Sequence, residues 1–249
     1  MSVASFGPGI IIVTRTDTAT PIAVNLGYAQ EFSLDISATT KQLYGQNQYP
    51  IAAARGTAKV TGKAKAAVLS GIAWNATFFG QTFAAGRDTY YFNEAHTVAS
   101  TTQVVTNATG GIVDLGVTYA ASGLPLQRVA TATVAGTYSV NQSTGTYTFV
   151  VADEVALLFS YSNFSSAASG QQLQVVNLPI CQTPTFQFDY WTNLNQPTSK
   201  PFAVRLFSCV ASKLQLAGKL EDFIMPELDF DVFANASGQV MNFDFHEIS

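Results

Sequence analysis

Residues 226–238 read Pro226-Glu-Leu-Asp-Phe-Asp-Val-Phe-Ala-Asn-Ala-Ser-Gly238, and the run from Glu227 to Val232 decides the fold. Successive side chains of a strand point to opposite faces, so Leu228, Phe230 and Val232 share one surface and Glu227, Asp229 and Asp231 the other. Three further runs repeat this pattern. Phe32, Leu34 and Ile36 alternate with Glu31, Ser33 and Asp35. Ala58, Val60, Gly62 and Ala64 alternate with Thr57, Lys59, Thr61, Lys63 and Lys65. Met241, Phe243 and Phe245 alternate with Asn242, Asp244 and His246, and the turn signal Asn235-Ala-Ser-Gly238 predicts a hairpin joining this run to the one before it. If the four strands share a sheet, its wet face gathers Glu31, Asp35, Glu227, Asp229, Asp231 and Asp244 against Lys59, Lys63 and Lys65, a net charge of −3 per copy. An ordinary antiparallel sheet also presents a solvated polar face. Nine ionisable groups on one face nevertheless stand out in a chain that is only 11% charged.

That scarcity runs through the whole chain of 249 residues, which is 47% hydrophobic and 12% aromatic, where soluble domains carry roughly 25% charge. Disorder is excluded, because disordered segments are poor in apolar residues and rich in charge. A net charge of −4 and a pI near 5.0 argue against a protein that coats nucleic acid. The longest apolar run, Gly9 to Val13, is far shorter than the ~20 residues of a spanning helix. The first residues show neither a basic nor an apolar signal region, so folding in a cytoplasm is expected. Cys181 and Cys209 lack metal or redox spacing and read as buried thiols rather than a bridge. A mean hydropathy of +0.19 with so little charge suggests that part of the folded surface is covered by assembly.

Short runs of Val, Ile, Thr, Tyr and Phe bounded by Gly, Asn, Ser and Pro give an all-β fold class. The exception is Lys65 to Phe79, where Leu69, Ile72, Ala76 and Phe79 recur at helical spacing before Gly80, predicting one helix over an edge or open end of a sheet-on-sheet body. Phe186, Phe188 and Tyr190, with Phe202, Val204 and Leu206, are expected to form an opposing sheet, and Pro184, Pro197 and Pro201 fall at run ends. Composition shifts near Asp88 and Leu178. Between them charge nearly vanishes, and Tyr138–Val140 and Tyr147–Val151 flank the turn 141–145, so residues 88–177 read as an inserted β domain with adjoining entry and exit. One continuous sandwich is the alternative. Six bases and three acids fall in residues 1–86, whereas residues 220–249 hold seven acids and no Lys or Arg, so the two ends can neutralise each other within or between copies.

No catalytic constellation appears. His96 and His246 are the only histidines and lack zinc-pair spacing; His96 reads as a loop or strand-edge residue and His246 as a polar-face residue. Nucleophile-elbow, phosphate-loop and dinucleotide motifs are missing from the sequence. Asp153 and Glu154 are adjacent, so on a strand they would point to opposite faces. The N-x-Ser/Thr triplets at Asn75, Asn107, Asn141, Asn163 and Asn235 read as chance. Two other classes stay open: a virion or cell-surface carbohydrate-binding β-sandwich with a glycan pocket near Trp191 or Tyr90, and a hydrolase with an unrecognised Ser/His/Asp set.

The run Phe32-Ser-Leu-Asp-Ile-Ser-Ala-Thr-Thr-Lys-Gln-Leu-Tyr-Gly-Gln-Asn-Gln-Tyr-Pro50, continuing Ala54-Arg-Gly-Thr-Ala-Lys-Val-Thr-Gly-Lys-Ala-Lys65, resembles the N-terminal part of tail tube proteins of tailed bacteriophages. Lys213-Leu, Lys219-Leu-Glu-Asp-Phe223 and residues 226–238 are similar to their C-terminal part, and Gly136-Thr-Tyr-Ser-Val with Phe149-Val-Val-Ala-Asp-Glu154 to the extra β domain some of them carry. The resemblance implies a structural protein without cofactor, metal or enzymatic activity. Its fold would be a tail-tube-like β-sandwich or split barrel from residues 1–87 and 178–249, with one flanking helix and an Ig-like insert, 88–177, facing outward. Its partners would be further copies in stacked hexameric rings, with tape-measure protein and then DNA passing through the lumen, and without sequence-specific nucleic-acid contacts or a membrane. It would be assembled in a host bacterial cytoplasm and reside in the virion tail. On this reading Glu31, Ser33, Asp35, Thr57, Lys59, Thr61, Lys63, Lys65, Glu227, Asp229, Asp231, Asn242, Asp244 and His246 line the lumen. A loop from Thr39 to Ala54, through Tyr44, Gln46, Asn47 and Tyr49, and an arm containing Ile10, Ile11, Ile12 and Val13 would contact neighbouring rings.

Overall fold

The structure, a computed structural model, describes residues 9–68, 70–165, 170–180, 182–192, 202–218, 220 and 223–244. The fold is all-β. In chain order it comprises β1 (Gly9–Arg15), β2 (Ala23–Tyr44), β3 (Pro50–Ala66), helix α1 (Gly71–Trp74), β4 (Phe83–Ala85), β5 (Arg87–Thr97), β6 (Thr102–Val104), β7 (Ile112–Tyr119), β8 (Gln127–Arg128), β9 (Thr137–Asn141), β10 (Thr146–Thr148), β11 (Ala156–Ser165), β12 (Gln171–Leu173), β13 (Phe186–Thr192), β14 (Ala203–Gln215), β15 (Glu227–Val232) and β16 (Met241–Asp244). The chain divides into two compact units, Met1–Gln81 with Val175–Ser249, and Thr82–Gln174.

In the first unit, pairing runs β13-β1-β2-β3-β15-β14 and returns from β14 to β13, so the sheet closes into a barrel. β13 and β14 therefore belong to the same sheet as the charged strands, and among the described residues they form no separate opposing sheet. Alternation fills the barrel with Ile11, Val13, Leu26, Phe186, Phe188, Leu206 and Phe230, all buried. Phe230 lies 4.8 Å from Phe188, centroid to centroid, and Phe32 stacks on Tyr190 at 4.3 Å. Gly62 is required opposite Phe230, because a Cβ there would sit 2.3 Å from the ring.

Three further expectations change. Ile11 and Val13 are wholly buried in β1, a barrel strand, so they are unavailable as an arm; Ile10 and Ile12 are half-buried on its other face, and residues 1–8 lie outside the described residues. The stretch from Thr39 to Ala54 is not a loop: β2 and β3 stay paired out to Tyr44 and Pro50 as a hairpin arm, leaving only residues 45–49 as the turn. β15 and β16 do not form a hairpin either. Both run antiparallel to β14 along the same side, β15 against Cys209–Gln215 and β16 against Ala203–Leu206, so they continue one strand path interrupted by an eight-residue excursion, 233–240. The Asn235 turn closes that excursion on itself, with the Asn235 N–H donating to the Gln239 carbonyl.

The helix is shorter than the spacing predicts, because β3 continues through Ala66. Ser70 caps α1 by accepting from the Ala73 N–H, a π-turn continues over Asn75–Phe79, and Gly80 ends it in the left-handed conformation. Ala73 and Ala76 are buried whereas Ile72 is exposed, and Leu69 lies outside the described residues. Ala73 and Trp74 pack at one end of the barrel, where β2 and β15 begin and β3 and β14 end, leaving about 20 Å³ beside Leu26, Ala64, Leu214 and Leu228. Cys209 is a free buried thiol whose pKa burial raises, and Cys181 lies outside the described residues.

The second unit begins and ends earlier than residues 88 and 177, because β4 and β12 pair as the stem where the chain enters and leaves it. Sheets β5-β11-β7 and β6-β10-β9-β8 share one core, with Tyr147 edge-on to Phe159 at 5.0 Å. Four of its tyrosines end on carboxylates. Tyr138 and Tyr147 donate to Asp114 at 2.8 and 2.9 Å, Tyr119 to Asp153 at 2.6 Å, and Tyr161 to Glu94 at 2.5 Å. Asp153 thus sits buried at the end of a 3-10 turn, Val151–Asp153, rather than on a strand. His96 lies on β5, the edge strand of its sheet, hydrogen-bonded to Glu94. Burial alone would raise the Glu94 pKa, but hydrogen bonds from Tyr161, Thr106 and His96 outweigh it and lower it from 4.5 to about 2.

Two measurements test this packing. Gly62→Ala should destabilise the chain by about 1–3 kcal/mol through overpacking against Phe230, read from denaturant unfolding; an unchanged midpoint would show that the ring can move aside. Glu94 has a lowered folded pKa, so its stabilisation is full above pH 4.5 and is lost as pH falls toward about 2. Unfolding of the second unit monitored against pH should therefore show a shallower acid dependence in Glu94→Gln than in the parent.

Candidate functional site

The outer face of β2, β3 and β15 carries the charge that the sequence concentrates there. Because these strands are neighbours, register brings their alternate residues into cross-strand rows. Glu31, Lys65 and Glu227 form one row, Ser33, Lys63 and Asp229 the next, then Asp35, Thr61 and Asp231, and Ser37 with Lys59. Lys65 Nζ lies 2.5 Å from Glu31 Oε2 and 3.9 Å from Glu227 Oε2. Lys63 Nζ is 3.7 Å from Asp229 Oδ2. Lys59 reaches diagonally to Asp231 Oδ1 at 3.3 Å, an ion pair off-angle for a hydrogen bond. The hydrogen bond and the charge of Lys65 lower the Glu31 pKa, and Glu31 in turn raises that of Lys65.

Lys213 joins this face from β14, 3.9 Å from Glu227 Oε1. Glu31, Asp35, Glu227, Asp229 and Asp231 against Lys59, Lys63, Lys65 and Lys213 leave a single negative charge, not three. The three lysines of β3 each meet a carboxylate on a neighbouring strand, and Lys213 meets Glu227. The signal for Lys213 is hidden by two irregularities in β14. One extra residue near Phe207–Ser208 and another at Ser212 each shift the alternation, which returns Lys213 to the face that Arg205 occupies.

The remaining lumen candidates divide. Thr57 lies on the arm, its hydroxyl 3.2 Å from that of Thr39. Asn242 and Asp244 are exposed on β16, beside Arg205 rather than in the ladder, and His246 lies outside the described residues. Arg205 pairs with Asp189 at 2.6 Å, and neither residue is among the sequence-predicted candidates although Gln187, Asp189 and Trp191 alternate with the buried Phe186 and Phe188. Trp191, Asp189, Arg205, Asp244 and Ile12 border an open cleft of about 330 Å³. Tyr90 is exposed on β5 of the second unit.

The arm projects past this face. Every residue from Asp35 to Lys59 is exposed, and Tyr44, Gln46, Asn47 and Tyr49 stand at or beside its turn. Among the described residues no group of His, Cys, Asp and Glu side chains could hold a metal ion, and no helix is long and apolar enough to cross a membrane.

The ladder's ion pairs are largely solvent-exposed, and such pairs contribute ~1 kcal/mol or less. Lys59→Ala and Lys63→Ala should each change unfolding free energy by no more than about 1 kcal/mol. A larger loss in denaturant titration would make the ladder a determinant of the barrel rather than a surface carried by it. The chain matches no protein-family model and no curated protein.

Proposed function

We propose that this chain is the subunit of a bacteriophage tail tube, assembling into stacked hexameric rings with the ladder of β2, β3 and β15 turned to the bore. The supporting observation is the unpaired side of β2. β1 accompanies β2 only to Ala29, so from Gln30 to Tyr44 that side has no partner strand among the described residues. A long open edge is a template for pairing with another chain. A copy docked there would carry the charged face from one subunit to the next, and repetition around a closed ring would make it continuous.

The chemistry of that face suits passage rather than binding. Protein affinity for the phosphate backbone comes from Lys and Arg that displace counterions. Here the lysines are matched to carboxylates, so the wall offers phosphates little to hold and a slight net repulsion. The arm supplies the second contact. Leu43, Tyr44, Tyr49 and Ile51 are all more than half exposed, and a two-stranded hairpin without a third layer is only marginally stable by itself. Contact of this arm with the neighbouring ring would cover these side chains.

Negative-stain microscopy of the purified protein should show annuli and tubes, and monodisperse monomers would overturn the reading. The double variant Asp229→Lys/Asp231→Lys exposes unmatched ammonium groups, and should still assemble but slow DNA passage in an ejection assay. Deleting residues 41–54 should leave rings that do not stack.

A further inference from the structure

The second unit contains an open groove of about 350 Å³ that the tube reading does not use. Its walls come from three places: Asp88 and Phe164, which are cross-strand neighbours on β5 and β11; the Gly110–Gly111 turn leading into Ile112 and Val113; and Gln142 and Ser143 at the β9–β10 turn.

Each wall is held in place. The Phe164 ring packs over Gly86, where a Cβ would lie 2.4 Å from Cζ, yet the residue remains 45% exposed. Gly110 and Gly111 adopt φ of +88° and +92°, and the buried Asn163 amide donates to the carbonyls of Thr109 and Gly111, fixing the turn from behind. Asp88 Oδ2 accepts from Gln172 at 3.2 Å, which orients the carboxylate. The β9–β10 turn is set by Asn141, whose side chain accepts from the Ser143 N–H.

We infer that this groove binds a neutral saccharide. An aromatic wall offers a flat apolar surface to the C–H face of a sugar ring. A carboxylate, an amide and a hydroxyl supply acceptors and donors for its hydroxyl groups. Two glycines without side chains let the ligand approach the backbone. The lining holds a carboxylate and no cation, which disfavours sialylated, sulfated or phosphorylated ligands. The volume falls within the ~300–1,000 Å³ of small-ligand sites and suits one or two sugar rings. Because all lining residues belong to the second unit, the inference stands or falls independently of ring assembly.

The test is a glycan array probed with the purified full-length chain. It carries neutral oligosaccharides of glucose, galactose, mannose and N-acetylglucosamine beside sialylated and sulfated ones, and any hit is titrated both as the free monosaccharide and as the oligomer. Retention of one or more neutral glycans is expected, weakened about tenfold or more in Asp88→Asn, Gln142→Ala and Phe164→Ala, with circular dichroism unchanged in at least the first two. A monosaccharide that binds as well as its oligomer assigns a single-ring site; a stronger oligomer assigns an extended one. Retention of only charged glycans, of none, or binding undiminished in both Asp88→Asn and Gln142→Ala would overturn the inference.

Discussion

The contact between Gly62 and the ring of Phe230 governs the first unit. A closed barrel of six strands has room for few large side chains, and this one accommodates Phe186, Phe188 and Phe230 because β3 contributes no side chain where Phe230 arrives. With the interior occupied, strand alternation leaves one position for every polar residue of β2, β3 and β15, the outer face. The ordering of Lys59 and Lys63 against acids of β15, and of Lys65 against acids on both neighbours, is thus a consequence of core packing. The ion pairs themselves are too exposed to drive it.

The second unit treats its carboxylates in the opposite way. Asp114 and Asp153 are nearly inaccessible and Glu94 is largely covered, and each accepts a phenolic hydroxyl from a core tyrosine. A buried carboxylate is costly unless its oxygens are satisfied, and hydrogen bonds to ionised groups are stronger than neutral ones. Five tyrosines, Tyr91, Tyr119, Tyr138, Tyr147 and Tyr161, lie in or against this core, and four of them reach a carboxylate. The same contacts raise the pKa of Tyr138 and Tyr147, where burial comes first and the neighbouring Asp114 charge adds to it. In a stretch almost without charge, three of its five acids serve as anchors for aromatic residues.

Much of this was legible in the sequence. The alternation Leu228, Phe230, Val232 against Glu227, Asp229, Asp231 gives β15 its faces, and the same pattern places Lys59 to Lys65. Alternation fails where neither face is buried, which is why the arm from Thr39 to Ala54, polar and exposed on both sides, reads as a loop although it is hydrogen-bonded to its end. A turn signal reports a reversal but not where the chain pairs next. The Asn235 turn folds an excursion out and back, so β16 resumes the path of β15 instead of pairing with it. The apolar run Ile10 to Val13 carries no mark to separate an arm from a barrel strand, and only pairing on both sides, with β2 and β13, decides for the strand. The open groove of the second unit draws on three distant segments, so no local pattern could have announced it.

The arm shows where the composition of the chain takes structural form. β2 and β3 leave the barrel at Asp35 and Lys59 and run on with no layer beneath them among the described residues, carrying Ile36, Leu43, Tyr44, Tyr49 and Ile51 into solvent. Charge could have kept such a hairpin soluble, yet its outer part offers only Lys41 and Arg55, which the register sets in successive cross-strand rows with Ala54 and Thr40. The low charge and positive mean hydropathy of the chain are thus expressed locally, as a sparsely charged, hydrogen-bonded projection whose stability as an isolated hairpin is marginal. Among the described residues neither a layer beneath the arm nor a strand on the open side of β2 is present, and both features follow from register and burial alone.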